Sequence, residues 1–193
     1  SKQATVIDTR QPLGYTGAHL PGALSIWEEG LADWAGWFVP YERPILLVME
    51  EDDPLAAVRT LARLGYDQVE GYLAGGMMAW HKAGLESEAG LAETPDELVA
   101  RLAAGVGTYV LDVRKDAERE QDGRIPGAHA LPLTALLRRL DEVPRDRQVH
   151  IICGSGHRSA VAASLLHHAG WRDAVVVLGG FAGWRAAQGP VVE

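Results

Sequence analysis

The chain has 193 residues, 47% of them hydrophobic and 23% charged, which is apolar content for ordinary cores in two domains of about 90 to 100 residues. Its formal net charge of −8, with no basic run, disfavours nucleic acid and anionic membrane surfaces as partners. No apolar stretch reaches the roughly 18 to 20 residues of a membrane span, no signal-peptide pattern opens the chain, and one cysteine leaves no internal disulfide. A soluble, cytoplasmic protein is expected.

In chain order, strand-like apolar runs fall at Thr5 to Ile7, Ile45 to Val48, Tyr109 to Leu111, Val149 to Ile152 and Ala174 to Leu178, alternating with helix-like segments. That alternation predicts an α/β fold of parallel strands covered by helices. Glu86 to Leu91 reads as a linker. Thr94-Pro95-Asp96-Glu97 has the spacing of a capping box with proline at the first helical position, so a helix is expected to open the second domain. Domain one starts almost at once with a strand, leaving no room for an equivalent helix. A further helix is predicted over Arg158 to His168, with His167 and His168 at its exposed end. Trp80 and Trp184 are read as core anchors.

The chemistry is placed at the only cysteine. Cys153 follows an apolar run and opens Cys153-Gly154-Ser155-Gly156-His157-Arg158-Ser159. Glycines 154 and 156 let a short loop curl so that backbone N–H groups point inward, and the next helix offers its positive end to the same place. Such surroundings favour a thiolate, with pKa values of roughly 3.5 to 7.5 against about 8.5 for an ordinary thiol.

A displacement of about 104 residues aligns Val6-Ile7-Asp8-Thr9-Arg10 with Val110-Leu111-Asp112-Val113-Arg114, and aligns His19-Leu20-Pro21-Gly22-Ala23 with the segment Arg124-Ile125-Pro126-Gly127-Ala128. It also matches Gly75-Gly76-Met77-Met78-Ala79-Trp80 to Gly179-Gly180-Phe181-Ala182-Gly183-Trp184. The chain is therefore read as a tandem, residues 1–88 and 94–193. Met49 falls opposite Cys153 and Pro54 opposite Arg158, and the first loop reads Glu50-Glu51-Asp52-Asp53. The first copy lacks the nucleophile and repels anions, so it is expected to be silent. Its acids are read as a solvated loop rather than a metal site.

With Tyr109 to Arg114, Gly123 to Ala128, the six-residue loop Cys153 to Arg158, and Leu178 to Trp184 in that order, the second half resembles the rhodanese family of sulfurtransferases over about a hundred residues. Related dual-specificity phosphatases carry a loop one residue longer, a cradle wide enough for a tetrahedral oxyanion, so spacing argues against that activity. Two departures are Arg124, where a histidine is frequent, and Gly154, where many relatives place an arginine. The second removes a cation beside the nucleophile and weakens the case for tight thiosulfate binding.

The resemblance implies two tandem rhodanese-like domains, each a parallel sheet flanked by helices, and a Cys153 persulfide that carries sulfane sulfur from thiosulfate or a small persulfide to cyanide or a thiol. Catalytic roles are expected for Cys153, Arg158 and His157. Substrate-binding roles fall to Gly154, Ser155 and Gly156, and to Arg114 and Arg119, which with Lys115 and Arg124 would make a cationic mouth on an acidic protein. Asp112 is expected to brace the loop, with Arg114 as a possible second brace, and Glu118 to shape the mouth. No cofactor and no metal are implied. The partners expected are a small-molecule sulfur donor and acceptor. The segment Trp34-Ala35-Gly36-Trp37-Phe38 resembles one found in bacterial fusions of a metallo-β-lactamase-fold persulfide dioxygenase with tandem rhodanese domains, so a fused or associated domain of that kind is a further expected partner. A non-turnover sulfur carrier or protein-docking module is the alternative reading.

Overall fold

A computed structural model describes residues 4–105 and 107–193. The chain divides into two compact units, Ser1–Ala89 and Gly90–Glu193. Each is an α/β unit, as the alternation of apolar runs predicts.

The first unit comprises β1 (Thr5–Asp8), α1 (Pro12–Gly17), β2 (Leu24–Ser25), α2 (Leu31–Phe38), β3 (Ile45–Val48), α3 (Leu55–Arg63), β4 (Val69–Tyr72) and α4 (Gly76–Lys82). Its four strands are all parallel, in the order β2-β1-β3-β4. The second unit comprises β5 (Leu91–Glu93), α5 (Pro95–Ala103), β6 (Tyr109–Asp112), α6 (Asp116–Asp122), β7 (His129–Ala130), β8 (Val149–Ile152), α7 (His157–His168), β9 (Ala174–Val177) and α8 (Gly180–Ala186). Its five strands are also parallel, in the order β5-β9-β8-β6-β7.

The two registers match. Asp8 pairs with Val48 as Asp112 pairs with Ile152, so in each unit an aspartate and the residue before the loop end adjacent central strands. Parallel strands place all their carboxyl ends on one edge, and that edge is where α/β proteins assemble sites. Four residues of β8 and four of β9 are fully buried, the continuous apolar pattern of strands covered on both faces. On one face lie Leu98 of α5 and Phe181 and Trp184 of α8, packed with Val110, Ile152 and Val177. Helix α7 buries Ser159 through Leu166, where alanines at 160, 162 and 163 allow close approach to the sheet.

Short strands escaped the sequence reading. Leu91, expected to end the linker, instead begins β5, which closes the edge beside β9. Its Glu93 is buried and meets His150 of β8 through Oε1 at 2.5 Å from Nδ1, with Arg101 Nε of α5 3.5 Å from Oε2. A three-residue strand held by a buried carboxylate–imidazole contact has no apolar periodicity to announce it. The capping box is present: Thr94 Oγ1 accepts from the Glu97 backbone N–H, and the Glu97 carboxylate accepts from the Thr94 N–H at 2.7 Å.

Among the described residues, the first unit shows no counterpart of β5 and α5. Trp184 is fully buried, whereas Trp80 at the equivalent position is only half-buried, a correction to its reading as a core anchor. Both indoles donate to a carbonyl six residues on, Glu86 O and Pro190 O, so the repeat survives in the hydrogen bonding where burial differs. No helix among the described residues is long and apolar enough to cross a membrane.

Candidate active site

Cys153 sits at the carboxyl end of β8 with its side chain fully buried. The loop turns at Gly156, whose φ of 96° belongs to the left-handed region that glycine occupies without cost, and α7 starts at the next residue, His157. This turn brings the Gly156 N–H to 3.1 Å from Cys153 Sγ, close hydrogen-bond geometry for sulfur. The positive end of a twelve-residue helix therefore faces the sulfur, as the loop's glycines and the following helix predict.

Helix α8 holds the loop from behind. Phe181 N–H donates to Cys153 O at 2.6 Å and Ala182 N–H to Gly154 O at 3.0 Å. Two of the loop's carbonyls are thereby bonded to the α8 N-terminus, while the Gly156 amide is given to the sulfur. The approach requires Gly180, with φ of 54°. A Cβ there would lie 2.5 Å from Cys153 O and 2.7 Å from Gly156 N. Sequence reading marked Gly179-Gly180 as a repeated landmark but gave it no role in the site; a Gly-Gly pair preceding a helix was the available signal of close backbone approach.

Arg158, in the first turn of α7, forms a two-pronged ion pair with Glu118 of α6, Nη1 to Oε2 and Nη2 to Oε1, both at 2.6 Å. Glu118 also accepts from the Lys115 N–H at 3.0 Å. The Arg158 guanidinium is the main cause that holds the Glu118 carboxyl down at about 2, against an ordinary 4.5. Glu118 and the nearby Cys153 sulfur in turn raise the affinity of Arg158 for its proton. The Arg158 fork is filled by this carboxylate. Gly154 lies directly under this pair, since a Cβ there would meet Arg158 Nη2 at 2.9 Å and Glu118 Oε1 at 3.5 Å. Ser155 is exposed, and its Oγ lies 3.1 Å from Nδ1 of the half-buried His157.

The expected cationic mouth is not assembled. Arg114 is fully buried: Nε and Nη2 grip the Asp112 carboxylate, Nη2 also donates to Gly123 O at 2.9 Å, and the guanidinium stacks 3.6 Å from the Phe181 ring centre. Arg119 is buried as well, donating to Arg114 O and Asp116. Arg119 is corrected from a substrate-binding residue to a brace, and of the two roles expected for Arg114 the structure has the brace and not the substrate-binding one. For Arg114 the reason is the Asp-x-Arg spacing at a strand end, which folds the guanidinium back onto its own carboxylate; Arg119 lies in α6 and reaches back to Asp116 and Arg114 O. Lys115 and Arg124 are exposed, and Arg124 is tied through its backbone to Val192.

The same brace recurs in the first unit, where Arg10 Nε and Nη2 grip Asp8 at 2.9 and 2.6 Å and Nη2 reaches Ala18 O. Met49 replaces Cys153 and is buried. The positions of Glu118 and Arg158 hold Gly14 and Pro54, so no loop-closing ion pair is available. Asp52 closes the loop differently, accepting from the Gly75 N–H at 2.9 and 3.1 Å.

A family model described as rhodanese-like domain matches residues 1–83 and again 94–187. A protein named sulfurtransferase from Allochromatium vinosum is 36% identical over 97 residues, half of this chain and 90% of that protein. Thiosulfate sulfurtransferase GlpE from Pseudoalteromonas translucida is 36% identical over 84 residues, 44% of this chain and 79% of that protein. Among solved structures, a Rhodopseudomonas palustris protein of unknown function, described as a possible tyrosine phosphatase, is 28% identical with a TM-score of 0.50, covering 53% of this chain and 84% of its own. With its two matched segments, its twin parallel sheets and its cysteine loop, the chain belongs to the rhodanese-like domain family.

Proposed function

We propose that the second unit is a sulfurtransferase that moves sulfane sulfur from thiosulfate or a low-molecular-weight persulfide to a thiophilic acceptor through a Cys153 persulfide. The observation that carries this reading is the Gly156 N–H 3.1 Å from Cys153 Sγ at the head of α7. It is a fixed donor aimed at the atom whose charge rises and falls during sulfur transfer.

In the first step the Cys153 thiolate attacks the outer sulfur of the donor. An S–S bond forms at Cys153, and the donor's own bond to that sulfur breaks, its electron pair leaving with sulfite or with the small thiolate. In the second step the acceptor attacks the outer sulfur, and the Cys153 thiolate departs with the electron pair, which gives ping-pong kinetics. The Gly156 amide supports the charge on the sulfur, and the flanking loop residues Gly154 and Ser155 are assigned to the same cradle. Arg158, fixed by Glu118, closes the loop, and His157 with Ser155 stands at its exposed rim. Names of relatives support transfer in general. The choice between thiosulfate and a persulfide is a matter for experiment, and Gly154 in place of a cationic side chain favours the persulfide.

Full burial of Cys153 favours a second reading, a carrier that loads once and discharges only to a particular protein. Intact-protein mass spectrometry separates the two. After exposure to thiosulfate or glutathione persulfide, wild type is expected to gain one sulfur, which a small acceptor removes over repeated rounds, while Cys153→Ala gains none. Loading without release to small acceptors would establish the carrier instead, and no loading of reduced Cys153 by either donor would refute sulfur transfer.

A further inference from the structure

The silent unit has not simply filled in the place of its lost active site. A cavity of about 330 Å³ lies there, lined by Arg10, Met49, Glu50, Asp52, Gly75, Gly76, Met77 and Met78. At the corresponding glycine of the second unit the backbone packs more tightly: a Cβ on Gly180 would collide with the loop at 2.5 to 2.8 Å, whereas one on Gly76 finds only Met49 O at 3.4 Å. Gly14 also stands where Glu118 would reach across.

The lining is chemically specific. Arg10 is 8% exposed, and its Nε and Nη2 are committed to Asp8 and Ala18 O, so Nη1 is the guanidinium nitrogen that has no partner among the described residues. A Cβ on Gly14 would lie 3.7 Å from that Nη1 and 3.7 Å from Glu50 Oε2. The cation and the carboxylate thus flank one spot without forming an ion pair with each other. Asp52 is already occupied by the Gly75 N–H. All three methionines of the chain supply the soft apolar remainder.

An anion alone would meet Glu50 and Asp52, and a cation alone would leave Arg10 Nη1 without a counterpart, its other nitrogens being held by Asp8 and Ala18 O. A ligand bearing both charges on adjacent atoms, with an apolar or sulfur-containing tail, satisfies the whole lining. We infer that this cavity of the first unit binds a small α-amino acid zwitterion, its carboxylate on Arg10, its ammonium on Glu50 and its side chain among Met49, Met77 and Met78. The inference is independent of the reaction proposed at Cys153.

Because every methionine lines the cavity, full-length protein labelled with methyl-¹³C methionine reports on this site alone. Titration with L-norleucine is expected to move the methyl resonances saturably, equally in wild type and in Cys153→Ala. Norleucinamide, which lacks the carboxylate, and N-acetylnorleucine, which lacks the ammonium, are expected to bind about tenfold more weakly or worse, the loss of one charge-assisted contact. Glu50→Gln should erase the preference for L-norleucine over its N-acetyl form, and Gly14→Leu should fill the space and abolish the response. Unmoved methyl resonances, equal binding of all three probes, or loss of the response in Cys153→Ala would overturn the inference. So would wild-type binding by a folded Gly14→Leu protein; if that variant does not fold, the three probes and Glu50→Gln still decide.

Discussion

The two units answer the same architectural question with opposite chemistry. Both end a central parallel strand beneath a loop, both brace the neighbouring strand end with an Asp-x-Arg pair, and both place a positive-φ Gly-Gly step before a helix. The second unit uses this frame to press backbone amides onto a cysteine sulfur. The first holds a methionine there and surrounds its loop with acid: Glu28 is pushed up by partial burial and by the carboxylates of Glu29, Asp53 and Glu51. The brace is therefore a property of the fold, while Cys153, the Glu118–Arg158 pair and the tight loop-to-α8 hydrogen bonds are particular to the second unit.

That division is broken most directly by moving the nucleophile. Cys153→Ala is expected to lose sulfur uptake entirely. Met49→Cys introduced into that background is expected to restore none with thiosulfate, because the acidic first loop lacks an equivalent of Arg158 and repels the anion. Measurable turnover of thiosulfate by the double variant would show that the cysteine alone makes the site.

The shared brace predicts equal structural costs with unequal functional ones. Asp112→Asn and Asp8→Asn each leave a buried guanidinium facing a neutral amide, and breaking a buried ion pair costs about 3 to 5 kcal/mol. Urea unfolding should register a loss of that order in whichever unit carries the change. Sulfur loading should fall with Asp112→Asn, which undermines the loop's support, and persist with Asp8→Asn. If Asp8→Asn silenced Cys153, the units would not be functionally separable.

A finer distinction lies in the glycines before α4 and α8. Gly76 and Gly180 have φ of 56° and 54°, so alanine at either position carries the left-handed penalty of about 1 to 2 kcal/mol. Only at position 180 does the new Cβ also strike the loop, at 2.5 Å from Cys153 O. Gly180→Ala should therefore destabilise more and slow loading of Cys153, measured by mass spectrometry, while Gly76→Ala leaves loading at the wild-type rate. Equal loading rates in the two variants would mean that α8 does not shape the loop.

Much of this comparison is written in the sequence because it rests on local patterns. Apolar runs bounded by turn residues announce the central strands, and Cys153-Gly-Ser-Gly announces a curled loop. The repeat of Asp-x-Arg and Gly-Gly announces two copies of one frame. What was not legible depends on where side chains fold in space. Arg114 and Arg119 carry the same charge as a substrate-binding arginine, and only the course of the chain past Gly123 and Phe181 buries them. The two-residue strands Leu24–Ser25 and His129–Ala130 are too short to show a period, and β5 is fixed by the buried Glu93–His150 contact, which joins residues distant in sequence. Gly14 in the place of Glu118 and Pro54 in the place of Arg158 gain meaning only once the two units are set in register.

The smallest expected effect concerns the pair that the first unit lacks. Glu118 is partly exposed, with a side-chain accessibility of 30%, so solvent screens its attraction to Arg158 and the contribution to stability is modest. Its sign is nevertheless fixed. Glu118 titrates at about 2 in the folded chain and at an ordinary 4.5 when released, so the folded state holds its proton less tightly than the unfolded state. The stabilisation is then complete above about pH 4.5 and is lost as the pH falls towards about 2. Glu118→Gln should lower the Tm of the second unit by an amount that is constant from neutral pH down to about pH 5 and shrinks below it. Arg158 stays charged throughout, so the narrowing belongs to the carboxylate. Gly14→Ala, at the equivalent place in the first unit, removes no carboxylate and should show no such acid-dependent change. A gap for Glu118→Gln that stayed constant down to about pH 3 would mean that the loop is not closed by this ion pair in solution.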